Sequence, residues 1–304
     1  MAKKAVDRRP AAGGDCWLVV HELHDRSAPW LAGELAALAG PHGPAVRPVP
    51  LPALMAWVRW RLQVDRAGSA CTLDAPGLSL QAGCVTRLGA KPGPPRMRLA
   101  GVINRCGPVA LPASAPDADY KSAEWNALLM AWLHGLPVPV LNRPRCDNVL
   151  GALASTAVWR QRAARFGLPI WPLALTDGPA HPAPLCQPAA WPGLLVVGGV
   201  GIEPESPSAT GAAPGWTASA RRAAARAAAG CGCDLLAWTG SHDSNGHWRV
   251  AAATAWPDLR PFGPPAVQAL ARLMGLKLPT PPTPPTPPTH LCSLTPQAAP
   301  TAAA

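Results

Sequence analysis

The chain has 304 residues, 48% of them hydrophobic and 14% charged, enough apolar length for a real core in two ordinary domains or in one domain with additions. Its 27 Lys and Arg against 17 Asp and Glu leave a formal net charge of +10, a field suited to phosphates, carboxylates and acidic peptides. A nucleic-acid partner is disfavoured, because the basic residues are scattered and no finger or RNA-binding signature occurs.

Residues 1–15 read as a disordered lead, and Cys16–Val20 is a short apolar run suited to a buried strand. WLVV at 17–20 is far too short for a signal sequence or a membrane span. After the HELHDRS turn, Trp30, Leu31, Leu35 and Leu38 recur with helical spacing until Gly40-Pro41. Val46–Pro52 is extended and broken by proline, and Leu54, Trp57, Val58 and Leu62 mark a second amphipathic helix. Residues 70–90 predict short strands or an irregular crossover. Leu99–Ile103 is a strand ending in Asn104-Arg105. Asp117 or Asp119 caps a helix with Trp125, Leu128, Leu129 and Trp132 on one stripe, stopped by Gly135. Val138–Leu141 is the next strand, ending in Asn142-Arg143-Pro144. Strand, helix, strand is the unit of a parallel sheet, and it places both Asn-Arg pairs at the carboxyl edge, where open α/β folds bind ligands.

Ser155 or Thr156 caps a further helix carrying Val158, Trp159 and Phe166, closed by Gly167 and Pro169. Residues 176–193 read as a Pro-, Ala- and Gly-rich linker, Leu194–Val200 as a buried strand and 203–215 as a loop. Thr217–Ala229 is an Ala- and Arg-rich helix ended by Gly230. Cys233–Trp238 and Trp248–Ala253 are strands joined by SHDSNGH, in which Asn245-Gly246 is the hairpin signal. Pro265–Met274 is the last helix, and from Pro279 the repeat PTPPTPPTPPT predicts a polyproline II segment in a disordered tail. The nine Cys are odd in number and irregular in spacing, so the chain reads as cytoplasmic with reduced thiols.

INR at 103–105, Asp119-Tyr120 with Glu124, AWL at 131–133, PVPVLNRP at 137–144 and VWRQRAARFGLPIWP at 158–172 resemble the front half of ATP-grasp proteins that modify peptides or join amino acids to cofactors. The run GCDLLAWTGSHDSNGHWRVAAATAWPDLRPFG at 232–263 resembles the closing strand pair that carries magnesium in that family. The resemblance implies an α/β fold. A small N-terminal parallel-sheet, pre-ATP-grasp-like domain at 16–150 precedes a trimmed ATP-grasp-like α+β region at 151–277, with the lead at 1–15 and the tail at 278–304 outside both.

The family's chemistry activates a carboxylate as an acyl phosphate and needs a lysine on the phosphates and Asp, Glu or Asn ligands for Mg²⁺, a hard cation that takes oxygen ligands. This chain departs from that pattern. No Lys lies between Lys121 and Lys277 and no Glu follows Glu205. Ala237-Trp238-Thr239 stands where the family has Gly-x-Asp, and Ala252-Ala253-Thr254 where it has Glu-x-Asn. Arg221, Arg222 and Arg226 are candidates to replace the phosphate lysine; the alternative is the solvated face of an Ala-rich helix. A rearranged metal set would have to use Asp234, Asp243 and Asp258.

Asn104, Arg105, Asn142 and Arg143 are candidates to bind a carboxylate or phosphate through the guanidinium fork. The alternative is that each Asn caps its turn and each Arg pairs with Asp117 or Asp147. Cys231 and Cys233 with His242 and His247 have the composition of a zinc site without its usual spacing. His21, His24 and Asp25 follow the first strand, and a general-acid role there requires a neighbouring carboxylate such as Glu22 and a pocket. GGVG at 198–201 lacks the following helix and Lys of a phosphate cradle and reads as a tight turn.

These features predict an ATP-grasp-like accessory protein or pseudo-ligase in the biosynthesis of a modified peptide or an amino-acid-extended cofactor of methanopterin type. Its expected partners are a peptide or small carboxylate ligand and a protein of the same pathway, without a membrane. The alternatives are an active carboxylate-amine ligase with rearranged ligands, using ATP and Mg, and a non-enzymatic peptide-binding scaffold whose Pro-Thr tail engages a partner.

Overall fold

A computed structural model describes residues 14–57, 59–65, 68–75, 78–82, 97–145, 148–149, 151, 155–172, 191–205 and 216–276. The predicted lead, most of the predicted linker and the Pro-Thr tail lie outside the described residues.

The first strand β1 (Asp15–His21) is followed by α1 (Ser27–Ala39), β2 (Ala45–Pro50), α2 (Leu51–Trp57) and three further strands, β3 (Arg59–Asp65), β4 (Gly68–Ala75) and β5 (Leu78–Ala82). Then come β6 (Met97–Arg105), α3 (Ala118–Gly135) and β7 (Val140–Leu141). These strands form one sheet in the order β2-β1-β6-β5-β4-β3, with β7 beside the carboxyl half of β6. Strands β2, β1, β6 and β7 run parallel, while β3, β4 and β5 pair antiparallel. The second half begins with α4 (Thr156–Arg165), β8 (Trp191–Val197), β9 (Val200–Ile202) and α5 (Ala218–Gly230). It continues with β10 (Leu235–His242), β11 (Trp248–Thr254) and α6 (Gly263–Leu273). Its sheet has the order β11-β10-β8-β9, all antiparallel.

The near-continuous apolar runs of β1, β8 and β10 follow from burial on both faces. In β1, Trp17 and Val19 face a core shared with α1, while Cys16, Leu18 and Val20 face one shared with α3. In β8 and β10, Leu195, Val197, Leu235 and Ala237 face α6, while Leu194, Val196, Leu236 and Trp238 face α4 and α5. Side chains alternating with period two therefore build three cores from two sheets. The central core joins β1 and α1 to β8, β10 and α6. Trp159 and Trp238 meet edge to face in the outer core, with ring centroids 5.9 Å apart. The architecture is the expected α/β class, a parallel sheet followed by an antiparallel α+β region. Among the described residues, no helix is long and apolar enough to cross a membrane.

Three local expectations are corrected. The helix predicted through Leu62 ends at Trp57, because Arg59–Asp65 pairs in register with Gly68–Ala75, and ladder hydrogen bonds override a marginal helical period. Asp117 occupies the N-cap of α3 in the left-handed region, φ 55°, without a side-chain cap bond. Leu128 is 41% exposed, and Leu133 joins Leu129 and Trp132 on the buried stripe instead.

Phe262 sits fully buried where α1, α6 and the antiparallel sheet meet. Phe262→Ala is expected to cost about 3–5 kcal/mol, read as a lower urea midpoint at unchanged slope.

Candidate functional site

The carboxyl edge of the parallel sheet gathers the polar residues that sequence singled out. Asp25 lies four residues beyond β1, and Arg105 ends the neighbouring β6. The Arg105 Nε donates to Asp25 Oδ2 at 2.6 Å, with the two side chains 1% and 5% exposed. Arg105 Nη2 also donates to Ser27 Oγ and to the Pro257 carbonyl, each at 2.8 Å. Asp25 Oδ1 accepts from the Ser27 backbone and hydroxyl and from Ala28 N, so it caps the start of α1. Trp256 Nε1 donates to Asp25 Oδ2 at 3.0 Å. Burial opposes the charge on Asp25, but the hydrogen bond and Coulomb attraction of Arg105, with Trp256 and Ser27, outweigh it and hold the carboxyl at about 2.

The other candidates at this edge are also committed to protein partners. Asn142, at φ 57°, donates through Nδ2 to the Leu235 and Ala255 carbonyls at 2.9 Å and accepts from Leu235 N at 2.9 Å. It ties the end of β7 to the start of β10. Asn104 donates to the Asn142 and Val149 carbonyls and accepts from Cys106 N. The Arg143 guanidinium donates to the carbonyls of Leu133, His134 and Val138, closing the carboxyl end of α3, where cations are favoured. Neither Arg pairs with Asp117; Asp147 lies outside the described residues. Asn104, Arg105, Asn142 and Arg143 thus hold the two sheets and α3 together, and Arg105 Nη1 is buried without a hydrogen-bond partner among the described residues.

One carboxyl at this edge does face a cavity. Glu22 lines a pocket of about 370 Å³ with Leu51, Met55, Val109 and Trp125. Its Oε1 accepts from Gly107 N at 2.8 Å, yet burial pushes the carboxyl up. It is the only titratable side chain lining the pocket among the described residues. Of its neighbours, His21 is buried with Nδ1 2.7 Å from the Glu22 carbonyl, and His24 is exposed. Proximity in sequence marked Glu22, but the apolar walls come from α2, α3 and the segment after β6.

The closing strands test the fit of Mg²⁺ and ATP. In the β10–β11 register, Thr239 faces Ala252, Trp238 faces Ala253 and Ala237 faces Thr254. The two short segments therefore do pair, but residues 237–239 and 252–254 carry two hydroxyls, Thr239 and Thr254, and no carboxylate. The alternative set does not converge. Asp234 precedes β10 and accepts from Asn142 N at 3.2 Å, whereas Asp243 follows β10, roughly 30 Å away at strand rise. Asp243 is held by Arg249 at 2.6 Å and by two turn N–H groups. Asp258 pairs with Arg260 at 2.5 Å. No group of three or more His, Cys, Asp or Glu able to hold a metal ion occurs among the described residues. The donor set does not fit Mg²⁺. Nor does zinc have a site in the hairpin, because Cys231 and Cys233 precede β10 while His242 and His247 lie at its far end. Burial, as the main cause, pushes the Cys233 thiol to about 12.

The α5 arginines separate. Arg221 bridges Glu203 at 2.5 Å, Arg222 is exposed, and Arg226 faces a cleft beside Trp216.

No protein-family model matches this chain, and no curated protein does. Solved structures do. The macrocyclase MdnC from Microcystis aeruginosa MRC, bound with precursor peptide MdnA, superposes with a TM-score of 0.61 at 11% identity, covering 86% of this chain and 100% of that one. A RiPP-associated ATP-grasp ligase from Chryseobacterium gregarium, in complex with ADP and a leader and core peptide, gives 0.53 at 10% identity over 87% and 98%. The ATP-grasp ligase PsnB, complexed with minimal precursor, Mg and ADP, gives 0.52 at 14% identity over 84% and 97%. The chain has an ATP-grasp-like fold.

The depressed Asp25 carboxyl sets a pH window. Its ordinary value is 3.8, so its contribution of about 2 kcal/mol is complete above roughly pH 4 and is lost as pH falls towards about 2. Asp25→Asn is expected to cost about 3–5 kcal/mol at pH 7, because it leaves a buried guanidinium uncompensated. It should also flatten the acid limb in that window, as measured by urea unfolding across pH. An unchanged acid limb would show that the pair contributes nothing.

Proposed function

We propose that this chain is an accessory protein, or pseudo-ligase, of a pathway that modifies a peptide, and that it keeps the ligase fold without ligase chemistry. The observation that carries this reading is the closing strand pair. Thr239, Ala252 and Thr254 stand on adjacent strands where the resemblance calls for carboxylate or amide ligands. The three Asp of that region are spread apart and bound to Asn142, Arg249 and Arg260. Without two or three oxygen ligands, Mg²⁺ is not held in its octahedral geometry, and the triphosphate charge is not neutralised for attack by a carboxylate. Lysine is also missing from 122–276. A peptide as partner is supported by the precursor peptides bound to the fold neighbours and by the net charge of +10.

Isothermal titration with Mg-ATP tests the reading directly. The expected result is no saturable heat up to about 1 mM nucleotide. Binding at micromolar Kd would overturn it and restore the ligase with rearranged ligands.

A further inference from the structure

Three arginines converge where α4 and α5 end. Arg145, Arg162 and Arg165 line a pocket of about 370 Å³ together with Phe166, Gly230 and Cys231. No Asp or Glu lines it among the described residues, and none of the three arginines forms an ion pair with a described carboxylate. Asp234 is near enough for its field to reach Cys233 alongside those of Arg145 and Arg162. Its carboxylate accepts from Asn142 N at 3.2 Å and does not line the pocket.

Two of the arginines are held in place without spending their whole donor set. Arg145 Nη1 donates to the Cys231 carbonyl at 2.7 Å. The Arg162 guanidinium lies over Trp159, 5.1 Å from the ring centroid, and its Nη1 donates to Cys231 Sγ at 3.7 Å. Each keeps its Nε and Nη2 without a partner among the described residues, and that edge is the fork that takes two oxygens of one anion. Arg165, exposed in the last turn of α4, has no partner among the described residues. Phe166 supplies an apolar wall, and Gly230 makes room for it, since a Cβ there would lie 2.9 Å from Phe166 Cζ.

Helix capping accounts for part of this charge but not all of it. The pocket lies at the carboxyl ends of α4 and α5, where cations are favoured. Each end carries about half a negative charge, so the two ends offset about one guanidinium and leave a surplus of about two positive charges. A single carboxylate matches half of that surplus. A phosphate monoester carries about −1.5 to −2 at pH 7 and three acceptor oxygens, which meets both the charge and the forks. The volume exceeds one phosphate group, so there is room for an organic substituent beside Phe166. We infer that this pocket binds a phosphate monoester, with its oxygens shared among Arg145, Arg162 and Arg165 and its substituent against Phe166. The assignment does not depend on the closing strand pair.

The test titrates the full chain by calorimetry with O-phosphoserine, with a peptide carrying one phosphoserine, and with the same peptide carrying glutamate there. Saturable binding of both phosphate probes that weakens with salt is expected, with the glutamate peptide about tenfold weaker. Arg165→Gln, an exposed change that leaves thermal unfolding unaltered, should weaken phosphoserine binding about tenfold. Arg165→Lys, which keeps the charge but loses the fork, should restore only part of it. A phosphopeptide much tighter than free phosphoserine assigns the monoester to a protein side chain, and equal affinities assign it to a small ester; both uphold the pocket. No saturable binding up to about 1 mM, equal affinity for the glutamate peptide, or undiminished binding in Arg165→Gln and Arg145→Gln alike overturns it. Micromolar Mg-ATP binding that persists in the Arg145→Gln, Arg165→Gln double variant overturns the pseudo-ligase reading alone. Mg-ATP binding lost in that variant places a nucleotide phosphate here and upholds the pocket.

Discussion

A guanidinium buried to 1% exposure calls for acceptors, and the organisation of this molecule follows from how Arg105 Nε and Nη2 find three of them, while Nη1 is left without a partner among the described residues. Its partners come from the first β–α turn, through Asp25 and Ser27, and from the segment after the last strand, through the Pro257 carbonyl. Trp256 closes the ring by donating to Asp25. Residues 25, 105 and 257 are thereby fixed at one point, so the exit of the antiparallel sheet is pinned to the edge of the parallel one. Asn142 does the same a strand away, satisfying Leu235 and Ala255 with a single amide. Polar joints of this kind specify one arrangement, since displacement leaves further buried donors or carbonyls unpaired.

That use of the carboxyl edge has a consequence for chemistry. Open α/β folds present ligand-binding residues at this edge, but here the Arg and Asn that occupy it are taken up by the joint between the sheets. What faces open space is a single carboxyl, Glu22, in an apolar pocket, and a set of three arginines where α4 and α5 end.

The closing strand pair shows how little a strand register depends on the residues that would carry a metal. The register of β10 on β11 depends on backbone pairing and on the alternation of Leu236 and Trp238 with Leu235 and Ala237 between two cores. Neither depends on whether position 239 or 252 carries a carboxylate. Ala and Thr at these positions leave the ladder intact. The superposition with ligase structures at 10–14% identity fits this separation of core pattern from site.

Much of the architecture was legible in local pattern. The strand, helix, strand order around Asn104 and Asn142, the Ser155 and Thr217 caps and the Asn245-Gly246 hairpin are signals carried by a few adjacent residues. The depletion of Lys and Glu from the second half is likewise a property of the sequence alone. Partner choice was not legible. Asp25 with Arg105, Arg143 with the end of α3, Asp243 with Arg249 and the meeting of Arg145, Arg162 and Arg165 at one pocket depend on which surfaces meet. Hydrophobic spacing and turn chemistry act over a few residues and are written into the chain, whereas the satisfaction of a buried charge or donor is decided only when segments up to 231 residues apart are brought to 3.0 Å.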